Sequence, residues 1–194
     1  MIEVREALSI GRQQLTKKGI INSLFETKLL IRNILKISNE DLISGSEVFL
    51  SESQFKTFQS FLERRKNFGP IAYILNKREF WKDSFYVNNS TLIPRPDSEI
   101  IIEMVLNLMP NKDKKLKFAD LGTGSGCLII SLLREYKYSE GVGIDNSQEA
   151  IKVAKKNKNI ISNNERLSFK LADFSTFKTT EFDVIVCNPP YVNK

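Results

Sequence analysis

Asp120-Leu121-Gly122-Thr123-Gly124-Ser125-Gly126-Cys127 is the stretch that decides how this chain folds. The segment Leu116 to Asp120 has the length of a strand, three glycines then alternate with small polar residues, and a helical pattern runs from Gly126 to about Glu135. Glycines in such a loop let the backbone approach a ligand closely, and the helix start behind them presents free amide donors. The alternation continues outward. A helix is expected over Asp97 to Met109, a strand over Gly141 to Asp145, a helix from Gln148 to about Lys158, and strands over Leu167 to Ala172 and Asp183 to Cys187. Strands spaced by helical patterns of this length predict crossover units and an α/β fold with about four parallel strands.

Upstream the period changes. Val4, Ala7, Leu8 and Leu15, then Leu24, Leu29, Leu30, Ile34 and Leu35, recur at helical intervals, as do Phe55, Phe58, Phe61 and Leu62. Ser23 with Glu26, and Ser51 with Gln54, have capping-box form, and a short helix fits near Glu40 to Ser44. Gly69-Pro70 stops the last of these helices. Arg78 to Trp81 and Ser84 to Val87 read as a hairpin closed by Lys82-Asp83. The expected organisation is a helical domain over 1–70, a hairpin and linker over 71–96, and an α/β domain over 97–194, with the boundary near residue 90.

The totals narrow the chemistry. With no histidine and no paired-cysteine spacing around Cys127 and Cys187, a zinc site and a Ser-His-Asp triad are excluded, and no metal is expected. The net charge of +6 is spread as scattered lysines, which reads as a solvated surface. No signal-length apolar leader or run of 18 apolar residues is present, so a cytoplasmic protein with reduced thiols is expected.

In a parallel sheet the ligand lies beyond the carboxyl ends of the strands. After Gly122-x-Gly124-x-Gly126, the next strand ends in Asp145, whose carboxylate can accept both hydroxyls of a ribose; a helix N-cap is the competing reading. Asp173-Phe174 offers an acceptor for an exocyclic amine and a ring for adenine, or else an ordinary turn. The loop reads G-x-G-x-G with Cys127 in sixth place, unlike the G-x-G-x-x-G of dinucleotide sites, so S-adenosylmethionine suits it better than NAD.

Asn188-Pro189-Pro190-Tyr191 follows the apolar run Val184-Ile185-Val186-Cys187. The Asn188 side-chain oxygen and the Pro189 carbonyl can each accept one proton of an NH2 group, holding its nitrogen for in-line methyl transfer. An amide nitrogen is a poor nucleophile, and acceptors that stabilise positive charge growing on it assist the transition state. Tyr191 would wall the pocket or stack on a planar group.

With these residues in view, the whole chain resembles the HemK-like, PrmC-type N5-glutamine methyltransferases that modify peptide chain release factors. The matching pieces are Gly69 to Ile74, the linker Leu92-Ile93-Pro94-Arg95-Pro96-Asp97-Ser98-Glu99, the Asp120 to Cys127 loop, Asp145, and Asn188 to Tyr191. The linker in that family usually ends Pro-Glu-Thr-Glu, and here Asp97-Ser98 replaces the middle pair. The resemblance implies a Rossmann-like methyltransferase sheet and transfer from S-adenosylmethionine to the glutamine of a Gly-Gly-Gln motif. It assigns cofactor contacts to Gly122, Thr123, Gly124, Ser125, Gly126, Asp145, Asp173, Phe174 and Asn188, and substrate contacts to Asn188, Pro189, Pro190 and Tyr191. The helical module would recognise the release factor.

Two alternatives stand beside this reading. A close relative methylates a ribosomal-protein glutamine, and adenine-N6 DNA and RNA methyltransferases share the last motif, but no target-recognition region or basic groove is evident. Family members also continue past the strand ending at Cys187 with three further strands. The chain is therefore also readable as a fragment, inactive and binding cofactor more weakly than about 100 µM, with an apolar strand made for the middle of a sheet left at its edge.

Overall fold

A computed structural model of the chain describes residues 1–43, 48–163, 165–173 and 181–188. The chain divides into two compact units, Met1–Leu75 and Asn76–Lys194. Phe174, Pro189, Pro190 and Tyr191 lie outside the described residues.

The first unit is helical. β1 (Ile2–Glu3) pairs antiparallel with β2 (Phe49–Leu50), and around them run α1 (Val4–Lys17), α2 (Ser23–Leu35), α3 (Asn39–Ile43), α4 (Glu52–Lys66) and α5 (Ile71–Leu75). Its core is Ala7, Leu15, Leu30, Ile31, Leu50, Phe58, Leu62 and Ile74. Gly11 sits in the interior of α1, where glycine ordinarily costs about 1 kcal/mol. A Cβ there would come within 2.4 Å of Thr27 Cγ2 and 2.9 Å of Phe58 Cζ, so the missing side chain is what lets α1 approach its neighbours.

The two capping boxes fare differently. At α4 both bonds form: Ser51 Oγ accepts from Gln54 N at 3.2 Å and Ser51 N donates to Gln54 Oε1 at 2.8 Å. At α2 neither forms, because Asn22 is the cap residue and the two expected partners are used elsewhere. Ser23 bonds the Thr16 hydroxyl at 2.8 Å, and Glu26 takes Arg65 Nε and Nη2 at 2.6 and 3.1 Å. A bidentate charged pair is stronger than a cap bond, so the long-range contact wins. The buried stripe of α2 is Ser23, Thr27, Leu30 and Ile31, and Leu24 is exposed.

Because Arg65 and Glu26 are 17% and 15% exposed, Glu26→Ala leaves a mostly buried guanidinium without its partner. The expected loss is about 2 kcal/mol, reduced from the fully buried case for residual solvent. Glu52→Ala, which breaks an exposed pair with Lys56, should change stability scarcely at all. Urea denaturation of both variants checks this, and equal stability would show that the buried pair is dispensable.

The second unit begins with a hairpin, β3 (Arg78–Phe80) and β4 (Asp83–Phe85), turning at Trp81-Lys82, one residue earlier than the expected Lys82-Asp83. Trp81 has φ of 55°, uncommon for a bulky residue. Its backbone N–H donates to Glu99 Oε1 at 2.9 Å and its indole N–H to Glu135 Oε1 at 3.0 Å, which hold it there. Phe80 and Phe85 meet edge to face and are buried in the same core as Phe118, Ile129, Leu132 and Tyr136. The hairpin thus belongs with the α/β unit, and the division falls at Leu75, ahead of the position near residue 90 expected from sequence.

A 3-10 turn (Pro96–Ser98) leads into α6 (Glu99–Leu108), then β5 (Lys117–Leu121), α7 (Cys127–Glu135), β6 (Glu140–Asp145), α8 (Gln148–Ile161), β7 (Leu167–Leu171) and β8 (Val184–Cys187). The four strands β5 to β8 form one parallel sheet in the order β7-β6-β5-β8. The chain winds outward from β5 to β7 and then returns to β5's other side. Among the described residues β8 is an edge strand whose burial alternates: Val186 is buried while Ile185 and Cys187 are exposed. The expectation of two covered faces is not met by these residues. No described helix is long and apolar enough to cross a membrane.

Candidate functional site

Strand register defines one rim. The pairs Cys187–Leu121, Leu121–Ile144 and Ile144–Lys170 align the sheet, so Asn188, Gly122, Asp145 and Leu171 stand side by side on the next level. At roughly 4.8 Å between strands, Asn188 and Asp145 start about 10 Å apart. The order reverses between β5 and β8, and Gly122 and Asn188 follow those two strands; such a switch point is where open α/β sheets bind ligands. A cleft of about 310 Å³ lies elsewhere, toward the strands' amino ends among Lys117, Glu140, Glu165 and Arg166.

The glycine loop is built from beneath. Gly122 and Thr123 donate their N–H groups to the Ile144 carbonyl at 2.9 and 2.8 Å, and Gly126 N donates to the Thr123 carbonyl at 2.8 Å. The Thr123 hydroxyl donates to Asp120 Oδ2 at 2.7 Å, and Asn157 Nδ2 donates to the Ser125 carbonyl at 2.8 Å. Thr123 and Ser125 are consequently buried.

The three glycines divide in two. Gly122 and Gly124 have φ of 74° and 53°, and a Cβ on Gly122 would meet nothing within 4 Å. Open space lies above them. Gly126 faces inward, where a Cβ would press on Ile130, Ala154 and Phe169 at 3.1 to 3.3 Å, so it is a packing residue where α7 starts.

Asp145 serves the loop directly. Its Oδ2 accepts from Gly124 N and its Oδ1 from Ser147 N, both at 2.9 Å. It is not the cap of α8; that residue is Ser147, whose hydroxyl accepts from Ala150 N at 3.2 Å. Each carboxylate oxygen keeps further acceptor capacity. Asp173 is exposed two residues beyond β7.

Asn188 is half-buried, and its Nδ2 donates to Ser98 Oγ at 2.7 Å. No local pattern in the sequence signals this contact, since ninety residues separate the two.

The Cys127 thiol stays protonated near neutral pH. Burial pushes Cys127 up to about 12 and also raises Cys187. Burial likewise lifts Asp120 to about 6, although the Thr123 hydroxyl opposes the rise. The folded chain therefore binds the Asp120 proton more tightly than the unfolded chain, and stability from this group is greatest below about pH 4 and falls as pH rises to about 6. Two pH units correspond to about 3 kcal/mol. Asp120→Asn should gain on the parent by that order between pH 4 and pH 7 in urea denaturation; a pH-independent difference would mean that Asp120 titrates normally.

Comparison with known proteins adds a second kind of observation. Residues 6–75 match the family model described as PrmC N-terminal domain, and residues 99–194 match that described as Methyltransferase small domain. The release factor glutamine methyltransferase of Coxiella burnetii is 37% identical over 198 residues, which cover 99% of this chain and 69% of that protein. The protein of the same name from Buchnera aphidicola subsp. Schizaphis graminum is 37% identical, with 88% of this chain and 61% of that protein covered. For that of Shewanella oneidensis the figures are 35%, 98% and 66%. The chain thus spans about two thirds or less of the length of most of these relatives.

Proposed function

Since the chain belongs to the release factor glutamine methyltransferase family, we propose that it methylates N5 of the glutamine in the Gly-Gly-Gln motif of peptide chain release factors, using S-adenosylmethionine. The observation that carries this reading is the shared level of Asn188, Gly122 and Asp145 at the switch point of the sheet.

The residues fit such a cofactor. The space over Gly122 and Gly124 admits a ligand against bare backbone, and the Asp145 carboxylate beside it has acceptor capacity left for a ribose diol. Asp173 would accept from an adenine amine, and Phe174, outside the described residues, would supply the ring. When bound, the cofactor supplies an electrophilic methyl group on sulfonium.

The chain's own contribution is to hold and polarise the acceptor. With its NH2 engaged by Ser98, Asn188 keeps Oδ1 to accept a proton of the substrate amide. The Pro189 carbonyl, also outside the described residues, would accept the second, and Pro190 and Tyr191 would wall the amide in. Such acceptors favour charge growing on nitrogen and so act mainly in the transition state. The helical unit, Met1–Leu75, would recognise the release factor, and its match to the PrmC N-terminal domain supports glutamine over adenine as acceptor. Release factors act in the cytoplasm, where this chain would meet them.

The deciding assay offers labelled S-adenosylmethionine with an unmethylated release factor, the same factor carrying Gly-Gly-Ala, and unmethylated DNA. Label should enter the Gly-Gly-Gln protein alone. Incorporation into DNA only, or equal labelling of the Gly-Gly-Ala factor, would eliminate the glutamine reading.

A further inference from the structure

Ser98 occupies the cap position of α6, yet its hydroxyl makes no cap bond. Serine at such a position ordinarily accepts a backbone N–H of the first turn. Here the preceding 3-10 turn holds Ser98 in helical dihedrals (φ −72°, ψ −13°), which carries the hydroxyl away from that task. The hydroxyl instead receives Asn188 Nδ2 at 2.7 Å, and Ser98 is only 8% exposed.

The turn carrying Ser98 is itself braced. Arg78 Nε donates to the Pro94 carbonyl at 3.1 Å, Ser98 N donates to the Arg95 carbonyl at 3.0 Å, and Glu99 Oε1 accepts from Trp81 N at 2.9 Å. Pro94 and Pro96 fix two backbone dihedrals in the same segment. The hairpin thus holds the turn on both sides of Ser98.

An asparagine side chain has a donor end and an acceptor end, and only the acceptor end can receive an N–H from an incoming NH2 group. We propose that Ser98 is a positioning residue that holds the Asn188 amide by its NH2 end, so that Oδ1 is the atom presented at the rim and the site selects an NH2-bearing acceptor. This rests on the methyl-transfer reading above.

The test uses the full chain, labelled with 15N. The side-chain NH2 signals of Asn188 are identified by their loss in Asn188→Asp. In Ser98→Ala they should shift and their protons should exchange with water at least tenfold faster, whereas Ser98→Thr should stay within about threefold of the parent. Methyl transfer to the release factor should show kcat lowered about tenfold by Ser98→Ala and restored by Ser98→Thr, with cofactor affinity unchanged in both. Should Ser98→Ala fail to fold, Ser98→Cys, with a poor acceptor of similar shape, gives the same readout. Unaltered Asn188 signals in a folded Ser98→Ala chain overturn the proposal, as does an unaltered kcat. If the unsubstituted chain transfers no methyl to glutamine, the functional reading fails, and the exchange rates still decide whether Ser98 holds Asn188.

Discussion

Asn188→Ala is expected to slow methyl transfer to a release factor by about 10³-fold, while S-adenosylmethionine binds within about threefold of the parent affinity. Removing one preorganised hydrogen-bonding group from a reacting centre typically costs 10² to 10³ in kcat. The upper end applies because the Ser98 contact already fixes the amide, so no reorganisation is needed on substrate binding. Cofactor affinity should persist because the Gly124–Asp145 bond and the Thr123–Asp120 bond, which shape the other side of the rim, do not involve Asn188. Asn188→Asp is the informative companion: it keeps an acceptor and can take a proton from the Ser98 hydroxyl, so it should retain at least tenfold more activity than Asn188→Ala. Steady-state kinetics with calorimetric binding separates the two effects. A parallel loss of cofactor affinity in Asn188→Ala would mean that the side chain holds the cofactor or the rim itself and does not act on the acceptor alone.

The sheet was legible because its signals are local. β5, β6 and β8 each close on glycine, aspartate or asparagine, and the helices between them carry their own period, so the α/β architecture and the order Gly122, Asp145, Asn188 are legible locally, whereas the two-residue strands β1 and β2 leave no such signal. What the chain hides is what distant residues do to local preferences. Ser23 and Glu26 look like a capping box until Arg65, 39 residues on from Glu26, takes the carboxylate. Ser98, expected inside a helix starting at Asp97, stands instead at the cap position of α6, and its hydroxyl accepts from Asn188 rather than from the first turn. Gly126 looks like Gly122 and Gly124 in a sequence, and only packing on Ile130, Ala154 and Phe169 separates a glycine that fits a helix against its neighbours from two that leave room above the loop. In the first two cases a side chain with two possible partners was claimed by the one that the tertiary fold brought within reach.

Asp145→Ala should weaken S-adenosylmethionine binding by about 100-fold and also lower thermal stability, because this carboxylate has two employments. Within the protein it satisfies Gly124 N and Ser147 N, each at 2.9 Å, tying the glycine loop to the start of α8. Toward a ribose it would accept two hydroxyl protons, and hydrogen bonds to a charged acceptor contribute about 1.5 to 3 kcal/mol each. Loss of a pair therefore amounts to about 3 kcal/mol or more, a hundredfold in affinity. Asp145→Asn has one acceptor oxygen in place of two and turns an NH2 group toward a backbone donor, so it should lie between, near tenfold. Loop shaping and ligand contact are separable with a cofactor analogue lacking the ribose 2′-hydroxyl. The parent chain should bind the analogue at least tenfold more weakly than the natural cofactor, and Asp145→Ala should bind the two alike, because the partner of the missing hydroxyl is already gone. If Asp145→Ala still distinguishes the two ligands as strongly as the parent, the ribose is held by other residues, and Asp145 acts only by holding Gly124 in place.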